Sequence, residues 1–233
     1  MYGMVTTLER TAVDEPFSEL YEEIADCPRC ILAKTRSRTV PGSGPATADI
    51  MFIGEAPGAR EDEQGVPFVG AAGKFLDDLL RGIGLSRDTV YICNVVKCRP
   101  PGNRDPEPDE IAACASYLDR QIEVVDPRVI VTLGRFSMAR WFPGVAISRI
   151  HGTAKHVDGR VVVPMFHPAA ALHRGDLRAV IEADFATLPA LVAAATGATS
   201  TGATTIEPLH PPADPSASAH TPTTDSTDQG QLF

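Results

Sequence analysis

The sequence predicts an α/β protein, a three-layer αβα sandwich with a central, mainly parallel four-stranded sheet. Three observations lead to this fold class. Predicted strands and helices alternate along most of the chain. The strand segments are short, apolar runs rich in β-branched residues, and the segments between them carry apolar residues at helical spacing. Glycine and proline stand where these segments begin or end, as expected for element boundaries.

The elements follow in order from these patterns. The first helix has four apolar residues at helical spacing, and Gly54 and Gly84 end the first strand and the second helix. A proline followed by acids is typical of the first turn of the third helix. Pro164 favours an edge or strand-end position, and Pro189 predicts a kink in the last helix. The predicted elements are helix 17–27, strand 49–54, helix 71–84, strand 89–96, helix 108–125, strand 128–134, helix 136–142, strand 160–166 and helix 176–195.

Length and composition predict one globular domain with appendages. A chain of 233 residues with 43% hydrophobic residues can bury a single large core, which we assign to residues 16–195. Residues 1–15 are expected to be flexible, and residues 196–233, rich in Pro, Thr, Ser and Ala, to be disordered. Neither a signal peptide nor a run of about 18 apolar residues occurs, so we expect a cytoplasmic monomer.

The net charge changes sign along the chain. The total of −9 alone argues against a protein that binds nucleic acid. Residues 1–26 carry −6 and residues 196–233 carry −4, however, which leaves +1 on residues 27–195. That balance is compatible with a basic face on the domain, and equally with mixed charges on a solvated surface.

Four of the five cysteines are spaced like the ligands of a metal or an iron–sulfur cluster. Cys93 lies inside an apolar strand and is interpreted as a core residue. Cys27 and Cys30 form a C-x2-C pair, followed by Cys98 and Cys114. A redox pair is disfavoured because no βαβ unit follows CPRC. Zinc and iron–sulfur clusters both accept four cysteines, and one close pair with two dispersed cysteines favours a cluster.

Polar residues at the strand ends predict where a ligand binds. In a parallel sheet covered by helices, ligands bind beyond the carboxyl ends of the strands. The residues at these ends are Glu55, Asn94, Gly134 and His167. The long loop after the first strand, GEAPGAREDEQGVPFVGAAG (54–73), also lies at this edge. It matches neither a Walker phosphate loop nor GxGxxG, and long loops in this position are usually functional.

The combined motifs resemble those of the family 4 uracil-DNA glycosylases, which carry a 4Fe-4S cluster. The resemblance rests on GEAPG (54–58), on EDxxGxPFVGxAG (61–73) and on the strand that ends in Asn94. It also rests on the HPA sequence that begins at His167 and on the four spaced cysteines, so it covers the chain from about Cys27 to Arg174. It implies an enzyme that flips uracil out of single- or double-stranded DNA and hydrolyses its N-glycosidic bond, leaving an abasic site in base excision repair.

The resemblance assigns roles to the residues around the base. It implies that Phe68 stacks on uracil, that Asn94 binds the amide edge of the base, and that Gly54 and Ala56 line the same site. A carboxamide offers both a donor and an acceptor, so it can distinguish uracil from cytosine. His167 would donate to the uracil oxygen that gains negative charge as the bond breaks.

Two carboxylates complete the implied site. Glu55 would lie beside the reacting sugar, where its charge favours a cationic sugar and helps to place water. Glu61 would line the pocket near the fifth carbon of the base and exclude thymine. Ala56 stands where family 1 enzymes carry a catalytic Asp, so we expect most of the rate to come from stabilising the departing uracil anion. Some cluster-containing relatives bond covalently to the site through a His in this region, and residues 97–108 contain no His, which favours turnover.

The loop after His167 is a candidate for contact with the DNA duplex. Related enzymes insert an apolar residue from this loop into the space that the base leaves. Leu172 is the first candidate for this wedge and Ala171 the second. Six basic residues are candidates for phosphate contacts, namely Arg99, Arg104, Arg149, Lys155, Arg174 and Arg178.

The sequence QGQLF (229–233) resembles the pentapeptide by which bacterial repair and replication proteins bind the sliding clamp. Gln229, Leu232 and Phe233 would make this contact. A flexible linker before the peptide would raise the effective concentration of the domain at DNA.

Three functions from different classes are compatible with the sequence. The first is the uracil-DNA glycosylase, in which the cluster is structural. The second is a noncatalytic iron–sulfur or zinc module that binds DNA and senses lesions or oxidants, which would not need Phe68, Asn94 and His167 at one edge. The third is an α/β enzyme for a small molecule with Glu55 and His167 as acid and base, which predicts no affinity for DNA.

Overall fold

The central feature of the fold is one twisted sheet. A computed structural model describes residues 15–197. The strands in these residues are β1 (Ile50–Gly54), β2 (Tyr91–Asn94), β3 (Val129–Leu133), β4 (Lys155–Val157) and β5 (Arg160–Met165). Their order in the sheet is β2-β1-β3-β5-β4. All neighbouring pairs are parallel except β4 with β5.

Helices cover both faces of the sheet, so the predicted three-layer α/β sandwich is confirmed. Helices α1 and α4 pack on one face, against Met51 and Ile53 of β1. Helices α3 and α8 pack on the other, against Ile50 and Phe52 of the same strand. The α-helices are α1 (Ser18–Ala25), α2 (Ala59–Gln64), α3 (Ala71–Gly82), α4 (Pro108–Val125), α5 (Arg135–Met138), α6 (Ile147–Ile150), α7 (Ala170–His173) and α8 (Asp176–Gly197). Short 3-10 helices cover Glu15–Phe17, Ile31–Lys34 and Pro101–Asn103.

The predicted count of four strands is wrong, because the described residues contain a fifth strand, β4. This strand has only three residues and lies at the exposed edge of the sheet, so it lacks the apolar run that identified the others. It forms a hairpin with β5 through a two-residue turn at Asp158 and Gly159, whose φ angles are 50° and 78°. Asp-Gly is a strong sequence signal for such a turn, and it could have predicted the hairpin.

Pro164 occupies the strand-end position that the sequence favours. It is the penultimate residue of β5 and pairs in register with Thr132 of β3. The antiparallel pairs with β4 involve only residues 160–162, so Pro164 lies beyond the part of β5 that has neighbours on both sides. The missing N–H of proline therefore interrupts no ladder there.

Helix α4 begins where the proline and the acids predict it. Pro108 is its first residue. Glu107 and Glu110 form a capping box, in which the side chain of each residue accepts a hydrogen bond from the backbone N–H of the other. Within residues 15–197, the structure contains no helix that combines the length and the apolar character needed to cross a bilayer. The predicted flexible N-terminus (1–15) and disordered tail (196–233) lie outside the described residues, apart from residue 15 and residues 196–197.

Candidate active site

A pocket of about 190 Å³ lies at the carboxyl ends of β1, β2 and β5. Glu55, Asn94 and His167 line it, so three of the four residues predicted at the strand ends meet there, together with Phe68 of the long loop. Gly134, the fourth, is not among the lining residues. Pockets for drug-sized ligands measure about 300–1,000 Å³, so this one suits a single small ring. Its other lining residues are Ala56, Pro57, Gly58, Glu61, Ala72, Pro100, Asn103, Arg104 and Ala169.

Phe68 forms one wall of the pocket. Its side chain is buried, and its ring stacks on the ring of His167 with 5.5 Å between the centroids. Gly54, the last residue of β1, makes room for this ring. A Cβ atom at Gly54 would lie 2.6 Å from Cζ of Phe68 and 2.4 Å from Oδ1 of Asn94. Gly54 therefore leaves space for the side chains of Phe68 and Asn94, which a larger residue would occupy.

The backbone of Phe68 is held in an unusual conformation by residues on both sides. Its φ is 55°, in the left-handed region that favours glycine. Oε1 of Glu61 accepts hydrogen bonds from the N–H groups of Val69 and Gly70 at 2.9 and 2.8 Å. Arg87 donates to the carbonyl oxygens of Pro67, at 2.9 Å, and of Phe68. The loop is thus fixed from its N–H side and its carbonyl side at once.

Gly73 and Asp77 of α3 complete the support of this loop. A Cβ atom at Gly73 would lie 1.7 Å from the carbonyl oxygen of Phe68, so the helix can approach the loop only with glycine there. Asp77 accepts from Nε of Arg87 at 2.6 Å and so orients the guanidinium. Sequence analysis missed Arg87, because its contacts are with residues about 20 positions away and no local pattern marks them.

Asn94 presents a buried polar atom that has no partner. The side chain lies at the end of β2, and the residue is 2% exposed. Its Oδ1 is one of three buried side-chain N or O atoms among the described residues that make no hydrogen bond. An unpaired buried acceptor is costly, so its presence at a pocket indicates that a ligand supplies the donor.

His167 is a neutral donor aimed at the same pocket. Burial lowers its pKa to about 4, although the nearby carboxylate of Glu61 opposes this effect. The backbone N–H of Ala169 donates to Nδ1 at 3.1 Å, so the proton of the neutral ring lies on Nε2. Gly134, after β3, allows the close approach of His167, because a Cβ atom there would lie 3.2 Å from the histidine Cβ.

Glu55 is the carboxyl group whose charge depends most on pH in the neutral range. It is partly buried directly after β1, and this burial raises its pKa to about 7. The nearby carboxylate of Asp105 also raises the pKa, and the guanidinium of Arg135 lowers it. Arg135 and Asp105 form an ion pair with each other. A group poised near neutral pH at a pocket is typical of a functional site.

Glu61 and Ala56 line the pocket, and both also have contacts that support the surrounding structure. Glu61 is on α2, a helix that sequence analysis placed in a loop because AREDEQ has no apolar periodicity. One of its oxygens is fully used by the Phe68 loop, so the residue has a clear structural role in addition to lining the pocket. Ala56 also lines the pocket and packs against the core on the α1 and α4 side.

The two wedge candidates differ in exposure. Leu172 is 49% exposed on α7, the short helix that follows His167. Ala171 packs against the core on the α3 and α8 side. Leu172 is therefore the apolar side chain that this helix presents to its surroundings.

Several of the candidate phosphate contacts are engaged within the protein. Arg104 makes a two-point ion pair with the buried Glu110. Arg174 pairs with Asp176, and Arg178 with Glu182. The remaining candidates are Arg99, which donates to Oδ1 of Asn103, and Arg149 and Lys155, on α6 and β4. The ion pairs of Arg174 and Arg178 lie at the surface and are individually weak, so they can exchange for contacts with phosphate. The pair of Arg104 has a buried partner and is not of this kind.

The four spaced cysteines lie near one another, and none of them lines the pocket. Their mutual proximity is visible in their acidity, since Cys114 and Cys30 help to raise the pKa of the Cys98 thiol, whose burial brings it to about 11. Cys30 and Cys27 likewise act on Cys114. Cys93 is fully buried inside β2, as predicted for a core residue.

Two of the cysteine sulfurs accept hydrogen bonds. Nη1 of Arg36 lies 3.3 Å from Sγ of Cys98, and the backbone N–H of Lys97 lies 3.4 Å from Sγ of Cys114. Donors of this kind tune cysteine sulfurs that bind iron–sulfur clusters. Within residues 15–197, no three His, Cys, Asp or Glu side chains form a group that could hold a single metal ion as they stand.

Comparison with known proteins agrees with the motifs and the pocket. The model of the uracil DNA glycosylase superfamily matches residues 41–186. A type-4 uracil-DNA glycosylase of Sulfurisphaera tokodaii is 48% identical over 181 residues, which cover 73% of this chain and 82% of that protein. The type-4 uracil-DNA glycosylase of Archaeoglobus fulgidus is 48% identical over 180 residues, with 73% and 90% coverage.

A bacterial relative is also similar over most of its length. The type-4 uracil-DNA glycosylase of Thermotoga maritima is 44% identical over 168 residues, which cover 70% of this chain and 88% of that protein. The superfamily model spans more than half of this chain, and the part that it matches contains the strand ends, the Phe68 loop and His167. The chain therefore belongs to the uracil DNA glycosylase superfamily and, within it, to the type-4 uracil-DNA glycosylases.

Proposed function

We propose that this protein removes uracil from DNA by hydrolysing its N-glycosidic bond, which leaves free uracil and an abasic site. Its membership of the type-4 uracil-DNA glycosylases supports this function. The single observation that carries it is the unpartnered Oδ1 of Asn94 in a pocket shared with the neutral donor His167 and the ring of Phe68. A flat ring with an N–H donor and carbonyl acceptors is the complement of these groups.

Recognition of the base follows from the chemistry of these side chains. The ring of Phe68 offers a flat apolar surface for the face of uracil. Oδ1 of Asn94 accepts the N–H between the two uracil carbonyls, and the amide N–H of Asn94 donates to a neighbouring carbonyl oxygen. Cytosine carries an unprotonated ring nitrogen at N3, where uracil has this N–H, so it would leave Oδ1 unpaired, which typically costs about 10⁴–10⁵-fold in rate.

Bond cleavage leaves negative charge on the base. The bond between the sugar C1′ and the uracil N1 breaks with its electron pair on uracil, and the oxygen of a water molecule then bonds to C1′. The proton that this water loses passes to solvent, and the departing uracil anion takes up a proton from solvent. Nε2–H of His167 donates to the uracil oxygen on which the charge develops. A neutral histidine suits this role because it is a donor that burial already holds in place, so no reorganisation is needed during the reaction.

Glu55 acts on the sugar side of the same reaction. As a carboxylate it stabilises the positive charge that grows on the sugar and orients the attacking water. Its raised pKa means that this form is fully present only above about pH 7.

The exposed Leu172 of α7 fills the space left in the duplex by the flipped nucleotide, which offsets part of the cost of unstacking.

The test is single-turnover release of uracil from a labelled oligonucleotide. Substrates with U:G, U:A and single-stranded uracil are compared with C:G. The wild type should release uracil and no cytosine, and His167→Ala should lower the rate by about 10²–10³-fold, the usual effect of losing one preorganised donor. His156→Ala, at an exposed histidine of β4, is the matched control and should retain the wild-type rate.

Other outcomes of this experiment favour the other functions. No release from any substrate by protein that contains its metal would favour a noncatalytic module that binds DNA. No release together with no affinity for the oligonucleotides would favour an enzyme that acts on a small molecule.

We further propose that Cys27, Cys30, Cys98 and Cys114 hold a 4Fe-4S cluster. Four neighbouring cysteines with N–H donors to two of their sulfurs fit such a group, which would supply structural cross-linking here rather than reaction chemistry. Cys114→Ala should abolish the iron, the inorganic sulfide and the brown colour of the purified protein. Cys93→Ala is the matched control and should retain them. Zinc in colourless wild-type protein would contradict the cluster.

The sequence QGQLF is proposed as a contact with the sliding clamp through Gln229, Leu232 and Phe233. These residues lie outside the described part of the chain, so this partner rests on the sequence pattern alone. A synthetic peptide of residues 225–233 should bind the clamp, and a peptide with Leu232 and Phe233 replaced by Ala should not. Absence of binding at high peptide concentration would refute this contact.

A further inference from the structure

Lys97 is a buried lysine next to the pocket, and the contacts of its side chain have no role in the site described above. It follows β2 and is 1% exposed. Its ammonium donates to the backbone oxygen of Asn94 at 2.6 Å and to Oε1 of Gln121 at 2.5 Å. Both acceptors are uncharged oxygen atoms.

Gln121 holds the ammonium of Lys97 in place through its own buried hydrogen bonds. This glutamine of α4 is completely buried, and its Nε2 donates to the carbonyl oxygen of Pro41 at 2.7 Å and to the hydroxyl of Tyr91 at 2.9 Å. With both amide hydrogens engaged, Oε1 can only point toward Lys97. The ammonium is therefore held by a network that begins in a helix and ends on the backbone of the base-binding residue.

The same lysine also contacts the cysteine group. Its backbone N–H lies 3.4 Å from Sγ of Cys114, and the next residue is Cys98. Its two side-chain hydrogen-bond partners are a backbone carbonyl oxygen and a carboxamide oxygen, and neither carries a charge. A buried cation with neutral partners is costly unless negative charge lies near it, and four thiolates bound to iron would supply such charge.

We propose that Lys97 is a positioning residue that connects the cysteine group to the uracil pocket and fixes the carboxamide of Asn94 for contact with the base. This inference rests on the proposed uracil-DNA glycosylase function. The lysine touches neither the base nor the sugar, so it acts through Asn94. Misplacement of a binding group by about 1 Å can cost on the order of 100-fold in rate, which is why a fixed backbone oxygen at Asn94 matters.

The test is a double-mutant cycle with Lys97→Met and Asn94→Ala. Single-turnover uracil release, affinity for free uracil and iron content are measured for the wild type, both single variants and the double variant. Lys97→Met should lower release by about 10–100-fold with its iron retained. The double variant should be no slower than Asn94→Ala alone, because the lysine has nothing left to position. Lys34→Met makes the same change at an exposed lysine and should match the wild type.

Each outcome separates this inference from the function on which it rests. A wild type that releases no uracil refutes the function. A wild type that releases uracil, with losses that multiply in the double variant, refutes the role of Lys97 and leaves the function intact. If Lys97→Met does not fold or loses its iron, Gln121→Met takes its place in the same cycle. The expected loss of uracil release is smaller, and the double variant should again be no slower than Asn94→Ala alone.

Discussion

Two titratable residues in the pocket have pKa values that burial moves in opposite directions. The pKa of Glu55 is raised to about 7, and the pKa of His167 is lowered to about 4. Burial disfavours the charged form of each group, so it raises the pKa of an acid and lowers the pKa of a base. Between these two values both side chains are neutral, and above about pH 7 only Glu55 is charged. The pocket thus combines a permanent neutral donor with a carboxyl group that ionises near neutrality.

The rate of uracil release should therefore follow the ionisation of Glu55. In the wild type the single-turnover rate should increase as the pH increases through about 7 and become constant above it, because the carboxylate is the active form. Glu55→Gln should be slower and independent of pH over the same range. Glu63→Gln, at an exposed acid of α2, should keep the wild-type profile. A rate that decreases above pH 7 in the wild type would contradict this role.

His167 should make the protein less stable in acid. The unfolded chain binds a proton at this residue below pH 6.5, whereas the folded protein binds it only near pH 4, so the unfolded state is favoured as the pH falls between these values. The loss should be about 1–3 kcal/mol on going from pH 7 to pH 4. Urea unfolding of the wild type and of His167→Asn at both pH values measures it. Equal acid sensitivity of the two proteins would exclude this explanation.

At the scale of the element, α3 is a helix with two glycines in opposite situations. Gly73 lies under the Phe68 loop, where a Cβ atom would meet a backbone carbonyl, and Gly82 lies in the last turn with no atom within 4 Å of the same position. A side chain at Gly73 would move a backbone that Glu61 and Arg87 also hold. The first glycine is required by packing, and the second is only a weak helix former.

Alanine at these two positions should have effects of opposite sign. Gly73→Ala should destabilise the protein by about 1–3 kcal/mol, the usual cost of overpacking, and should also lower uracil release because it displaces Phe68. Gly82→Ala should stabilise by about 0.4–1 kcal/mol through the unfolded state. Thermal unfolding together with single-turnover rates measures both effects. A Gly73→Ala variant as stable and active as the wild type would contradict the tight contact.

Sequence patterns predicted the elements that have a regular apolar period. Strands β1, β2, β3 and β5 and helices α1, α3, α4 and α8 form close to their predicted positions, because each buries a periodic or continuous apolar surface. Helix α2 and strand β4 are short and polar, and neighbouring elements hold them in place. Local periodicity does not carry that information.

The same distinction applies to the site. Asn94 and His167 could be predicted because a parallel sheet brings its carboxyl ends together. Arg87, Lys97 and Gln121 could not, since their partners are distant in sequence and only the folded chain brings them together. A lysine directly after an apolar strand was the one local signal for Lys97, and such a residue more often marks the return of the chain to solvent.

At the scale of the whole molecule, the four cysteines connect separate parts of one face. Cys27 and Cys30 follow α1, Cys98 follows β2, and Cys114 lies within α4. Arg36 reinforces this connection by donating both to Sγ of Cys98 and to the carbonyl oxygen of Cys27, at 3.3 and 2.8 Å. A group bound to all four sulfurs would restrain the relative motion of these segments in the folded state and would be lost on unfolding.

Removal of the proposed cluster should therefore lower the stability of the whole domain. Protein treated with a chelator under reducing conditions should unfold about 10 °C below the untreated protein, because a ligand bound only by the folded state contributes its binding free energy to folding. Calorimetry measures the shift, and limited proteolysis should detect earlier cleavage near residues 27–36. Equal unfolding temperatures of the treated and untreated proteins would mean that the group contributes nothing to the fold.

The support of Phe68 from both sides affects the thermodynamics of base capture. Because Glu61, Arg87 and Gly73 already hold the ring beside His167, the conformational entropy of ordering this loop is lost when the chain folds and not when uracil arrives. The free and base-bound proteins should then superpose closely in this loop. Selectivity would come from rigidity, since a wall that cannot move has no means of adapting to a base of another shape.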